Sequence, residues 1–205
     1  MRVLGLVPHL PPARPNADPR WWFADGVVEG DTLRIERLAE ADTPPPIAYR
    51  CGLAAPCSLP RAFLETLDCD IATIGGWTFK RLASTVRHFA ARRKRGDHHP
   101  ARDVPESLSS LDRRRLARFH ASIPLLTSAA HIIEVDVPLW LRAADLPYDA
   151  LSAQTPKSIA RRVSIVRALE QGLGGKKLEL PERDYAIAAL PALEAVIACL
   201  AVSST

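Results

Sequence analysis

What the chain lacks narrows its class first. No apolar run approaches the roughly 20 residues needed to span a bilayer. The four cysteines, Cys51, Cys57, Cys69 and Cys199, include no C-x-x-C pair, which argues against a zinc knuckle. The opening "MRVLGLVPHLPPARP" has one short apolar run, without the longer apolar core and small-residue cleavage site of a signal peptide; it reads as a buried strand. Reduced thiols in the cytoplasm are therefore expected. Internal repeats and low-complexity tails are also missing. Nor is there a large charge excess: the net charge is +4 and the pI about 9.1, which permits nucleic-acid contact without demanding it.

What is present describes a globular α/β chain. Its 205 residues, 47% hydrophobic and 24% charged, are enough for one domain over 1–205 with a real core. "RVLGLV" (2–7) fits a central strand closed by Pro8, and the proline-rich 8–19 excludes regular structure. Residues 20–40 divide at Asp25-Gly26 and Glu29-Gly30-Asp31 into short strand-like runs, "WWFADG", "VVEG" and "TLRIERLA". They form a β-meander with Asp31 near a hairpin turn. "IAYRCGLAAP" (47–56) reads as a further strand. "SLPRAFLETL" (58–67) then opens a helix, with Ser58 offered as N-cap.

The middle is basic. A helix starts at 79 with Leu82, Val86 and Phe89 at helical spacing and runs into Arg92, Arg93, Lys94 and Arg95 before Gly96. A second basic helix, "SLDRRRLARFHASIPLL", follows an exposed loop over 96–107. Together 79–127 read as a basic helical insertion. "HIIEVDV" (131–137) returns to strand, and its alternation puts Glu134 and Asp136 on one face. Residues 155–175 form an amphipathic helix capped by Thr155 and stopped by Gly172 or Gly174. "ERDYAIAALPALEAVIACLAV" (182–202) is a final apolar helix kinked near Pro191.

Four places in this order resemble one family, domain of unknown function 429, a set of predicted nucleases assigned a ribonuclease H-like fold. "RVLGLVPH" is similar to a first strand V-L-G-I-D-x, and "GLAAPCSLP" to I-D-A-P-x-x-x-P. "IIEVDVPLWLRA" is similar to I-E-V-Y-P-x-x-x-x-R-x, and "ALPALEAVIACLAV" to D-A-x-D-A-x-x-A-A-x-x-A. The resemblance implies a mixed central sheet flanked by helices, with the strand of Val7 central and beside the strand of Glu134. It also implies acids from several elements gathered around Mg²⁺ or Mn²⁺, since such ions take oxygen ligands and a metal pair can clamp both oxygens of a phosphodiester displacement.

Residue by residue, the acids are depleted. The first-strand aspartate slot holds Val7, the I-D-A-P slot Ala54, and one slot of the last helix Pro191. Glu134 is retained, Glu194 occupies the other helix slot, and Asp136 stands where the family has tyrosine. The expectation is a pseudoenzyme with no cofactor, a binding module. Lys80, Arg81, Arg87 and Arg92–Arg95, with His88, are the candidates to track the phosphates of DNA or RNA. One alternative is a metal-dependent nuclease or phosphodiesterase that uses Glu134, Asp136 and Glu194 with Mg²⁺ or Mn²⁺. Another is a protein-interaction subunit whose basic face is incidental, and no membrane partner is expected.

Other candidates read as structure. His98-His99 are adjacent on a loop, a poor chelate. His9 and His131 lie near strand ends. Cys57 precedes a helix start, where a thiol's pKa can fall, but no motif supplies a base. Trp21-Trp22 suit sheet packing, and "GLGG" (172–175) follows a helix, which makes it a helix stop and not a phosphate loop.

Overall fold

The computed structural model describes residues 1–9, 19–59, 61–94, 113–129, 131–173 and 176–204. The chain forms two units, Met1–Ala55 with Ala130–Thr205, and Pro56–Ala129. The second is inserted in the sequence between two strands of the first. His98-His99, Arg95, Pro60 and Gly174 lie outside the described residues, as do the side chains of Phe89 and Arg92–Lys94.

In the first unit, strands β1 (Arg2–His9), β2 (Arg20–Glu29) and β3 (Thr32–Ala41) make an antiparallel meander. Gly30 and Asp31 form the β2–β3 turn between paired Glu29 and Thr32. Gly30 has φ 58°, a left-handed value that costs glycine nothing. The runs "WWFADG" and "VVEG", expected as separate strands, are one continuous β2. The register shifts between Asp25 and Gly26, and such an irregularity absorbs the punctuation without ending a strand.

Three short strands complete the sheet: β4 (Cys51–Leu53), β5 (Ile132–Glu134) and β6 (Lys177–Glu179). β4 runs parallel to β1, β5 to β4, and β6 to β3, giving the order β5-β4-β1-β2-β3-β6. The sheet is therefore mixed, and helices of this unit pack on it. Two strands are much shorter than the apolar runs 47–56 and 131–137 imply. The second run ends early because Asp136 becomes the N-cap of α5 (Val137–Ala143), accepting the Leu139 amide at 3.0 Å, with Pro138 in the first turn. β6 was not expected; its three residues are too few to show a period.

Helix α6 (Pro156–Glu170) follows its sequence signals closely. Thr155 caps it through the Ser158 amide at 3.3 Å, and Gly172 at φ 95° follows its end. The expected kink at Pro191 is instead a break. Helix α7 (Arg183–Ala188) ends, Ala189 is extended, and α8 (Leu190–Ser203) begins with Pro191 in its first turn. There the missing N–H has no helical partner to lose.

Helix α8 is buried on nearly every side; of its residues only Ala201 is half-exposed. An all-apolar helix of this kind must be enclosed. It lies on β1, β2 and β4 and is flanked by α7 and α5. Gly5 and Gly52 are register partners in β1 and β4 and form a flat place under it. A Cβ on Gly5 would strike the Ala195 carbonyl oxygen and come within 2.6 Å of the Cys199 amide nitrogen. One on Gly52 would strike the Ala198 carbonyl. Only hydrogen at both positions lets the helix backbone approach so closely.

In the second unit, α1 (Arg61–Leu67), α2 (Ile71–Gly75), α3 (Phe79–Lys94) and α4 (Arg113–Leu126) surround Leu59, Phe63, Ile74, Leu82, Val86, Leu116, Phe119 and Ile123. Helix α1 starts later than a cap at Ser58 requires. Asp70 caps α2 instead, accepting from the Thr73 amide at 2.7 Å and the Thr73 hydroxyl at 2.6 Å. Those bonds hold its carboxyl below the usual aspartate range.

Candidate functional site

The direction of α8 decides which residues meet at the end of the sheet. Cys199 lies over Val3, its thiol 3.6 Å from the Val3 carbonyl, and Ala195 lies over Gly5. The helix thus runs antiparallel to β1. One turn before Ala195 and two residues past Gly5 are similar lengths, about 6 Å each. Pro191 and Glu194 consequently lie toward the end of β1 that carries Val7. Ala54 joins them, because its amide bonds the Leu6 carbonyl at 2.8 Å and extends the β4 ladder by one step. Val135 does the same on β5, bonding Leu53 at 2.9 Å.

Val7, Ala54 and Val135 therefore lie in one row on the α8 face, and that row is apolar. Val7 is 0% exposed, Ala54 4% and Val135 8%, and all three belong to the core cluster with Val137, Leu141 and Leu193. Glu134 is one residue out of phase with that row. It pairs with Leu53, which pairs with Leu6, and a single step along a strand moves a side chain to the other face of the sheet. Gly5 and Gly52 mark the α8 face, so Glu134 belongs to the opposite face and is exposed.

Two expectations about this end need correction. The strands of Val7 and Glu134 share one sheet but are not neighbours, since β4 lies between them. Asp136 does not share a strand with Glu134. β5 has ended, and the Asp136 carboxylate is used as the α5 cap. Glu194 is 7% exposed on α8, about a quarter turn from the sheet-facing row of Pro191, Ala195 and Ala198. Among the described residues, no group of three or more His, Cys, Asp and Glu side chains could hold a metal ion. Magnesium requires several oxygen ligands at one point; the row of Val7, Ala54 and Val135 offers none from its side chains, so the residues present do not fit such an ion.

A feature that sequence reading missed lies nearby. Arg162 on α6 is completely buried. Its Nε donates to the Ile187 carbonyl at 2.6 Å, and its Nη1 to the Leu151 and Ala153 carbonyls at 2.6 and 3.3 Å. Nη2 donates to Gln154 Oε1 at 3.1 Å. Burial lowers its pKa, yet carbonyl dipoles on several sides satisfy the guanidinium's fork of donors. The side chain ties α6 to the 151–154 segment and to α7. In the sequence it is one of two adjacent arginines, and only the inward phase of position 162 on the helix distinguishes it.

A second polar pair sits within the meander unit. The Tyr49 hydroxyl donates to Asp25 Oδ1 at 2.6 Å. Burial, and then that bond, push its pKa well above the ordinary phenol value. Burial likewise pushes the Cys199 thiol up. None of the four cysteines is in a disulfide; Cys51 and Cys199 are buried, Cys57 and Cys69 half-buried. Trp21 is buried, and Trp22 packs against the main core.

The basic candidates occupy α3 and the start of α4. Lys80, Arg81, Arg87 and His88 are all exposed. They cover one side of α3, while Leu82 and Val86 are buried on the other. The two aromatic rings beside them are occupied. The Arg81 guanidinium lies 4.3 Å from the Trp77 ring centre, and that of Arg113 lies 6.0 Å from the ring centre of Phe79. Both rings also pack against the unit's core.

Compared with known proteins, the chain finds no matching family model, no matching curated protein and no matching solved structure.

Proposed function

We propose that this chain is a non-catalytic ribonuclease H-like protein, a binding module for nucleic acid whose ancestral metal site has been filled by core packing. The filled row of Val7, Ala54 and Val135 carries the reading. A carboxylate ligand set cannot form where buried valine and alanine side chains complete a hydrophobic cluster. The fold part is supported by a meander extended through two parallel strands, with α8 laid across β1 and β4. The binding part is supported by the exposed basic side of α3. No helix among the described residues is long and apolar enough to cross a membrane, and four cysteines without a disulfide suit a reducing, cytoplasmic setting.

Calorimetric titration with Mg²⁺ and Mn²⁺ tests the reading. No heat of binding at millimolar metal is expected. Binding that disappears in Glu134→Gln would replace this reading with a metal-dependent phosphodiesterase whose acids have been rearranged.

A further inference from the structure

We infer that the α3 face takes the phosphate backbone of a duplex rather than the bases of a single strand, an inference that rests on the nucleic-acid part of the function proposed above. Its first ground is the state of the cations. In the sheet unit, Arg2, Arg20, Arg34, Arg161 and Arg183 each lie within ion-pair distance of a carboxylate. On α3, Lys80, Arg81, Arg87 and His88 form no ion pair among the described residues, and neither does Arg113 at the start of α4. The inserted segment 56–129 holds thirteen Lys and Arg against seven Asp and Glu, whereas the rest of the chain has fourteen against sixteen. The inserted segment therefore carries a net positive charge, and the exposed cations of α3 have no carboxylate partner among the described residues.

The second ground is the state of the aromatics. Proteins that hold single strands stack successive bases on open aromatic faces. Trp77 and Phe79 are the rings adjoining this surface. Each has a guanidinium over it and packs in part against the core. Neither offers a base a free platform, so the surface supplies charge without stacking.

Charge without stacking favours the form with the denser phosphate array, which is the duplex. Lys80 and Arg87 stand seven residues apart on one line of the helix, a spacing of about 10 Å, so they meet different phosphates. Binding is insensitive to base sequence and steeply dependent on salt.

Fluorescence anisotropy with the full chain tests this, using labelled 20-base-pair DNA and RNA duplexes and the corresponding single strands across a salt series. The duplexes are expected to bind more tightly than either strand, with scrambled sequences equivalent. Lys80→Ala and Arg87→Ala should each weaken duplex binding about fivefold to tenfold near 0.1 M salt. Each should also lower the salt slope by about 1, with an unchanged melting midpoint. Trp77→Leu, if it folds, should leave duplex affinity within about twofold of the wild-type value. A preference for single strands, or binding that persists at high salt and falls with Trp77→Leu, would overturn this inference alone. Absence of binding to every probe at low salt would remove the nucleic-acid reading as well, and the metal titration would then stand as the separate test of the filled site.

Discussion

The two units treat charge in opposite ways. In the sheet unit five arginines, Arg2, Arg20, Arg34, Arg161 and Arg183, are paired with carboxylates where they stand. Arg2 and Arg34 share Glu36, Arg20 reaches Glu40 and Asp42, and Arg161 reaches Asp149, while buried Arg162 is wrapped in carbonyls. In the helical unit Lys80, Arg81, Arg87 and His88 of α3 are exposed, and Arg81 and Arg113 lie over aromatic rings. Surface ion pairs contribute little to stability, so the pairing in the first unit acts chiefly to leave its surface near neutral. The exposed set on α3 gives that unit a positive surface.

The largest effect should come from the place where α8 meets the sheet. Gly5→Val drives a side chain into the Ala195 carbonyl and the Cys199 amide. We expect a loss of more than about 3 kcal/mol in urea unfolding. A near-normal midpoint would mean that α8 can ride higher on β1 than the structure shows. Val7→Asp comes next, at about 3 kcal/mol, because it places an unpaired carboxylate in the apolar row. Millimolar Mn²⁺ should not restore its melting midpoint; recovery would show that the acids can still be gathered and would weaken the proposal of a filled metal site.

Arg162→Met should cost about 2 kcal/mol, since it leaves the Leu151 and Ile187 carbonyls without their donor. Hydrogen exchange should show the loosening at 151–154 and α7 first. The smallest effect belongs to Glu36→Gln. The Arg2 guanidinium holds the Glu36 carboxyl below the usual glutamate range. A depressed folded pKa gives stability that is present above the unfolded value and lost as pH falls through the folded one. Any difference in melting between wild type and Glu36→Gln should therefore exist at neutral pH and fade as the pH falls below about 4.5. A difference that grew in acid would mean that Glu36 is not held by Arg2 in solution.

Local signals were the legible ones. Thr155 and Gly172 marked α6, Gly30-Asp31 marked the hairpin, and the apolar run of β1 marked a central strand. Each depends on backbone chemistry within a few residues. Long-range facts were harder to read. The sequence order of Glu134 and Asp136 matched a period of two, yet strand pairing ends at Glu134 and capping claims Asp136. Pro191 carried a helix-breaking signal that fitted a kink and a restart equally well, and the extended Ala189 decides it. β6 exists only because β3 offers it an edge, which no three-residue pattern announces. At positions 7, 54, 191 and 194 the types of residue were readable from the sequence; that Pro191 and Glu194 lie toward the Val7 end of β1 depends on the antiparallel course of α8, which its composition does not encode.

The glycine pair beneath α8 also has a kinetic side. The contact of Cys199 with Val3 joins residues 196 positions apart, while the core of the helical unit closes within 56–129. Loop-closure entropy grows with separation, and folding slows as contacts become less local. During synthesis the helical unit can assemble while β1 and β4 still expose a bare strip at Gly5 and Gly52, to be covered only when residues 190–203 emerge. Stopped-flow refolding should accordingly show Trp77 fluorescence settling before protection appears in β1; simultaneous phases would mean that the strip is covered earlier by another segment. Until α8 arrives, the first unit is a sheet with an open seam, and the time spent in that state sets its exposure to aggregation.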